Sequence, residues 1–157
     1  QEVFPASCPA ADRKDNLPAC PDDAFLRFCR QHGEPLLKSA PYHEIAPHLA
    51  LMAFLHRVVN AGGSIEREYA IGMGRMDLCV RYKGLVLGIE LKVWRDGEPD
   101  SLAEGLERID GYLAGLSQQT GWLVIFDRRS HLPRISERTT TEVGLTPEER
   151  RIRVIRA

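Results

Sequence analysis

The chain has 157 residues, 43% hydrophobic and 27% charged, which suits one domain with its own core. Lys and Arg number 21 against 22 Asp and Glu, a balance that argues against a strongly cationic, non-specific nucleic-acid binder while leaving room for a local basic face. No stretch approaches the roughly 20 apolar residues of a membrane span, no signal peptide is visible, and Cys8, Cys20, Cys29 and Cys79 show neither a CxxC pair nor zinc spacing. A cytoplasmic protein with reduced thiols and no membrane contact is therefore expected. The chain begins at Gln1 rather than Met, as a trimmed piece of a longer protein would.

Residues 1–40 read as an N-terminal extension or linker with one short helix. Pro5, Pro9, Pro18 and Pro21 stand among small and charged residues. Asp22-Asp23 then cap a helix carrying Ala24, Phe25, Phe28 and Cys29, expected to end near Gly33, with Pro35 and Pro41 marking a connector. A single domain is expected over 41–157. Its first helix runs from about His43 to Asn60, where Ile45, Leu49, Met52, Leu55, Val58 and Val59 keep helical spacing, and Gly62-Gly63 stops it. Ser64 to Ile71 reads as a strand with Glu66 and Glu68 on one side.

Gly74 to Trp94 reads as a hairpin, two alternating runs joined at Lys83-Gly84. Met76, Leu78, Val80 and Tyr82 share one face of the first strand, and Asp77, Cys79 and Arg81 the other. A two-residue turn pairs Tyr82 with Leu85, and counting back sets Asp77 opposite Glu90 and Arg75 opposite Lys92. A three-residue bulged loop would shift this register by one. Carboxylates on facing positions, roughly 5 Å apart, repel. A hard divalent cation between them removes the conflict and keeps sites for water and phosphate. Lys92 points at the same spot, where an ammonium can orient water or offset phosphoryl charge.

Beyond the hairpin, Pro99-Asp100 lead into a second helix. Ser101 and Glu104 read as a capping box, and Leu102, Leu106, Ile109, Leu113 and Leu116 form an apolar stripe. Gly121 to Phe126 is a continuous apolar run, the mark of a buried central strand. Residues 128–150 look polar and irregular. Arg151 to Arg156 alternates and reads as a final edge strand.

Asp77 followed by Glu90-Leu91-Lys92, set in two adjacent apolar-alternating strands, resembles the signature of the PD-(D/E)XK nuclease superfamily. The order helix, strand, strand, strand, helix, strand resembles its restriction-endonuclease-like αβββαβ core, an α/β fold with a mixed sheet flanked by helices. From His48 through Asp127, and again from Ile135 to Ala157, the chain is similar to nuclease-like domains found behind AAA-type ATPase modules in bacteria. No GxxxxGK[ST] loop is present, so the ATPase module would be a partner lying outside this chain.

The resemblance implies hydrolysis of DNA phosphodiesters with Mg²⁺ or Mn²⁺ as cofactor. Asp77 and Glu90 would be metal ligands, with the backbone carbonyl of Leu91 a further one, and Lys92 would position water or stabilise charge. A third carboxylate would come from Glu44 on the first helix or from Glu68 or Glu66 on the first strand. Many relatives carry Gln-x-x-x-Tyr on the second helix. Here the matching positions are Arg108 and Tyr112, and Arg in place of Gln can still grip phosphate bidentately. Such nucleases often act as pairs, so a homodimer is a further implication. The alternative reading is a catalytically inactive DNA-binding or regulatory domain beside the ATPase.

Arg128, Arg129, Arg134, Arg138, Arg150, Arg151, Arg153 and Arg156 make the last 30 residues basic. They are either charges protecting an edge strand or a surface for the DNA backbone. Arg75, Arg95, Arg128 and Arg129 are the expected nucleic-acid contacts.

Overall fold

The computed structural model describes residues 21–38, 51–56, 63–71, 74–82 and 84–157, with the backbone alone at 21–24, 35–38, 68–71 and 74–76. Within these residues the strands are β1 (Gly63–Ile71), β2 (Gly74–Tyr82), β3 (Leu85–Trp94), β4 (Thr120–Asp127), β5 (Thr140–Leu145) and β6 (Arg151–Arg156). They form a mixed sheet in the order β1-β2-β3-β4-β6-β5. The β1–β2, β2–β3 and β5–β6 pairs are antiparallel, while β3–β4 and β4–β6 are parallel. The helices are α1 (Pro21–Lys38), α2 (51–56), α3 (Leu102–Leu116) and the single turn α4 (Ile135–Arg138). None of the described helices is long and apolar enough to cross a membrane.

Strand alternation sends two sets of side chains to opposite faces, and each face has its own helices. On one, Leu78, Val80, Leu87, Ile89, Leu91, Trp122, Val124, Phe126 and Ile155 pack with Phe25, Leu26 and Cys29 of α1 and Leu51, Phe54 and Leu55 of α2. Phe25 stacks on Trp122 with ring centroids 6.0 Å apart. On the other, Leu123, Ile125, Ile152 and Val154 meet Ile109 and Leu113 of α3. The predicted apolar stripe of α3 is thus the face it buries. Cys29 and Cys79 are free and buried.

Several expectations are corrected. Arg151–Arg156 is not an edge strand: β6 lies between β4 and β5, and Ile152, Val154 and Ile155 are fully buried. The edge is β5, inside the stretch read as irregular. Its side chains are nearly all exposed, so it carries no burial pattern to read. α1 does not stop near Gly33 but continues to Lys38. Gly33 packs on Ile135, where a Cβ would lie 3.1 Å from the Ile135 methyl, and Glu34 accepts the Ile135 N–H at 3.0 Å. Pro35 falls in the last turn, where its missing N–H costs one helical bond. The capping box is also absent. Ser101 makes no side-chain cap. Asp100 Oδ1 accepts the Leu102 N–H at 3.0 Å instead. Of the helix expected from His43 to Asn60, only 51–56 belongs to the described residues.

Candidate active site

The β2–β3 register is the one the two-residue turn dictates. Tyr82 pairs with Leu85, and the ladder runs to Leu78 and Ile89. Gly84 supplies the turn's left-handed backbone at φ 80°. One step beyond that ladder, Asp77 and Glu90 come opposite each other, and Asp77 Oδ2 accepts the Leu91 N–H at 2.7 Å. Glu90 and Lys92 both face α3. The helix can rest directly on β4 because residue 105 is glycine: a Cβ there would lie 2.6 Å from a Leu123 methyl. That close approach carries the next turn of α3 over the sheet.

Arg108 on that turn sets its Nε 2.9 Å from Glu90 Oε1, and Tyr112 Oη lies 3.1 Å from the same nitrogen. Positions four apart share a helix face, and Arg108 and Tyr112 share this one. Lys92 donates to Glu104 Oε1 from the same side. Asp77, Glu90, Lys92, Glu104, Arg108 and Tyr112 therefore belong to one cluster between the hairpin and α3. Glu104 escaped the sequence reading, which assigned it to a capping box. The available signal was its position four residues before Arg108, on the same face.

Glu90 is 1% exposed. Burial pushes its carboxyl up to about 8, the Asp77 carboxylate adds to the rise, and Arg108 and Lys92 oppose it. Its second oxygen, Oε2, is buried and has no hydrogen-bond partner among the described residues. The Glu104 carboxyl is held below its usual value by the hydrogen bond and charge of Lys92.

The donor set fits a hard divalent cation. Two carboxylates face each other, and one buried oxygen lacks any donor, the deficit that Mg²⁺ or Mn²⁺ would fill. Among the described residues no cluster of three or more His, Cys, Asp or Glu side chains could hold a metal, so remaining ligands would be backbone oxygen, water and substrate. The backbone position of Glu68 falls between the Arg67–Leu78 and Tyr69–Met76 pairs, in one row with Asp77 and Glu90. The side chains of Glu68 and Arg75, and the whole of Glu44, lie outside the described residues.

Arg129, Arg138, Arg150 and Arg156 are committed to the fold through their side chains, while Arg128 and Arg95 contribute main-chain bonds. Arg129 binds Asp127 through Nε and Nη2 at 2.9 and 2.7 Å and stacks 3.5 Å over the Trp94 ring. The Arg128 N–H donates to the Trp94 carbonyl at 2.8 Å. Arg95 opens the turn after β3, where its N–H meets Glu98 at 3.2 Å. Arg150 pairs with Asp110 at 2.6 Å, Arg156 with Asp100 and Glu142, and Arg138 donates to the carbonyls of Pro133 and Asp127. Comparison with protein-family models, curated proteins and solved structures found no match to the chain.

Proposed function

We propose that the protein is a Mg²⁺- or Mn²⁺-dependent nuclease that hydrolyses DNA phosphodiester bonds, built on a restriction-endonuclease-like αβββαβ core. The observation that carries this reading is the buried Glu90 carboxyl, one oxygen on Arg108 and the other without a donor, facing Asp77 beside Lys92. A buried carboxyl in such a setting costs stability, and structures keep such costs where chemistry uses them. The helix–strand–strand–strand–helix–strand order from α2 to β4 supports the fold assignment.

Asp77 and Glu90 would hold the metal, with the carbonyl of Leu91 a further ligand. A metal held there would supply an activated water and shield phosphate charge. Lys92, 13% exposed and tethered by Glu104, orients the attacking water and offsets charge on the phosphoryl oxygens. Arg108 presents a guanidinium to the same phosphate, and Tyr112 braces it. Cleavage of labelled DNA with Mg²⁺, Mn²⁺ or EDTA, beside Glu90→Ala, tests the proposal. Metal-dependent cutting that Glu90→Ala abolishes supports it, and a protein that cuts nothing with either metal refutes it.

One observation favours a second reading. Arg108 already neutralises part of Glu90, so a site that has lost its metal chemistry could persist as an ion pair. The domain would then bind DNA, or regulate an AAA-type ATPase module, without cutting. DNA affinity with no cleavage in either metal selects this reading.

A further inference from the structure

Resting on the nuclease reading, we infer that Arg108 is the site's built-in second cation, so the centre takes one divalent ion and not two. The oxygen inventory carries the argument. A two-metal centre needs carboxylates that bridge ions roughly 4 Å apart. Here Glu90 Oε1 is taken by Arg108 Nε at 2.9 Å, and Asp77 Oδ2 by the Leu91 N–H at 2.7 Å. Glu90 Oε1 is the oxygen whose charge already faces a cation, and Glu90 Oε2 is the buried one with no hydrogen-bond partner among the described residues. Among the described residues no third carboxylate completes a larger ligand cluster; Glu104 spends its charge on Lys92.

Arg108 suits the part. Its side chain is 46% exposed while Glu90 is 1% exposed, so the guanidinium closes the site from the solvent side. Its Nε faces Glu90 and Tyr112. The two terminal nitrogens form the edge of the guanidinium that can grip a phosphate bidentately. A fixed guanidinium there does what a second metal would do for the leaving oxygen, and it repels a second metal from Glu90.

The test counts bound ions and needs no turnover. Mn²⁺ is titrated into the full chain, and free ion is followed by its electron paramagnetic resonance signal. Wild type should bind one ion. Arg108→Gln frees Glu90 Oε1 and removes the repulsion, and should bind two, the second roughly tenfold or more weakly than the first. Arg108→Met should behave the same way, and Arg108→Lys should return the count to one. Two ions in wild type, or one in both neutral variants, would overturn this inference and leave the nuclease reading standing. No ion in wild type, with Glu90→Ala indistinguishable from it, would overturn both.

Discussion

Glu90→Gln should stabilise the protein at alkaline pH. Glu90 is 1% exposed, and its carboxyl is raised from 4.5 to about 8, by burial first and Asp77 second, against the pull of Arg108 and Lys92. The sign follows from linkage. A carboxyl whose folded value lies above its unfolded value binds its proton more tightly in the folded state. The stability it contributes is complete below about pH 4.5 and is lost as pH rises to about 8. At about 1.4 kcal/mol per pH unit, that window corresponds to a ceiling of roughly 5 kcal/mol. Water entry and side-chain relaxation bring the expectation to about 2–4 kcal/mol. Gln offers an amide oxygen to Arg108 and an NH₂ toward Asp77, so it copies the protonated acid and has nothing to titrate. Urea unfolding of wild type and Glu90→Gln at about pH 5, 7 and 9 reads the difference. The two proteins should be close in stability at the acid end and diverge toward pH 9, the variant being the more stable. Parallel stability profiles, or a variant weaker than wild type at pH 9, would refute the reasoning.

On the nuclease reading, Lys92→Ala should abolish cleavage while Mn²⁺ binding persists, because Lys92 donates to Glu104 and is not one of the proposed metal ligands; a cleavage assay beside a metal titration separates the two effects. Gly105→Ala forces a Cβ to within 2.6 Å of a Leu123 methyl, and it should cost about 1–3 kcal/mol in urea unfolding and, by moving Arg108 off Glu90, shift the Mn²⁺ count in the direction of Arg108→Gln. Asp110→Asn should destabilise by about 2–4 kcal/mol by leaving Arg150, 14% exposed, without its counter-charge, with Mn²⁺ binding unchanged. Burial works to raise the Asp110 carboxyl, yet hydrogen bonds from Thr146 and Arg150 hold it below its usual value. Its contribution is therefore present above about pH 4 and lost as pH falls further, so wild type and Asp110→Asn should converge in stability at strongly acid pH.

The parts of the fold that announced themselves are those where burial and periodicity coincide. Leu78, Val80, Leu87, Ile89 and Leu91 alternate because one face of the hairpin is core, so both strands and their register were readable from spacing. The stripe on α3 and the apolar run of β4 follow the same logic. β5 was invisible because Thr140–Leu145 is almost wholly exposed, and an edge strand needs no apolar face. β6 alternates as an edge strand would, and nothing local separates the two cases. Its interior place depends on β5 covering its far side, which is a tertiary fact. α1 passes Gly33 because Ile135, about a hundred positions later, packs against that glycine. At the site, opposition of Asp77 and Glu90 was legible from the turn. The depth at which Glu90 is buried was not, since it depends on how closely α3 rests on β4, and that is decided by Gly105 and Leu123. The tether between Lys92 and Glu104 was missed for the same reason: it joins a strand to a helix whose approach only packing reveals.

The placement of β6 between β4 and β5 bears on the order in which the molecule can assemble. β1, β2 and β3 follow one another closely in the chain and pair in that order, and α3 returns the chain to β4 beside β3. At that stage every residue of the Asp77–Glu90–Arg108 cluster is already present, yet β4 still shows an open row of backbone donors and acceptors along its outer edge. That row is satisfied only when Arg151–Arg156 arrives, after β5, and inserts beside it. A nascent chain halted between β4 and β6 would hold the cluster on an unfinished sheet, a template for mispairing with a neighbour. Completion of the sheet and protection from aggregation thus depend on one late strand of six residues.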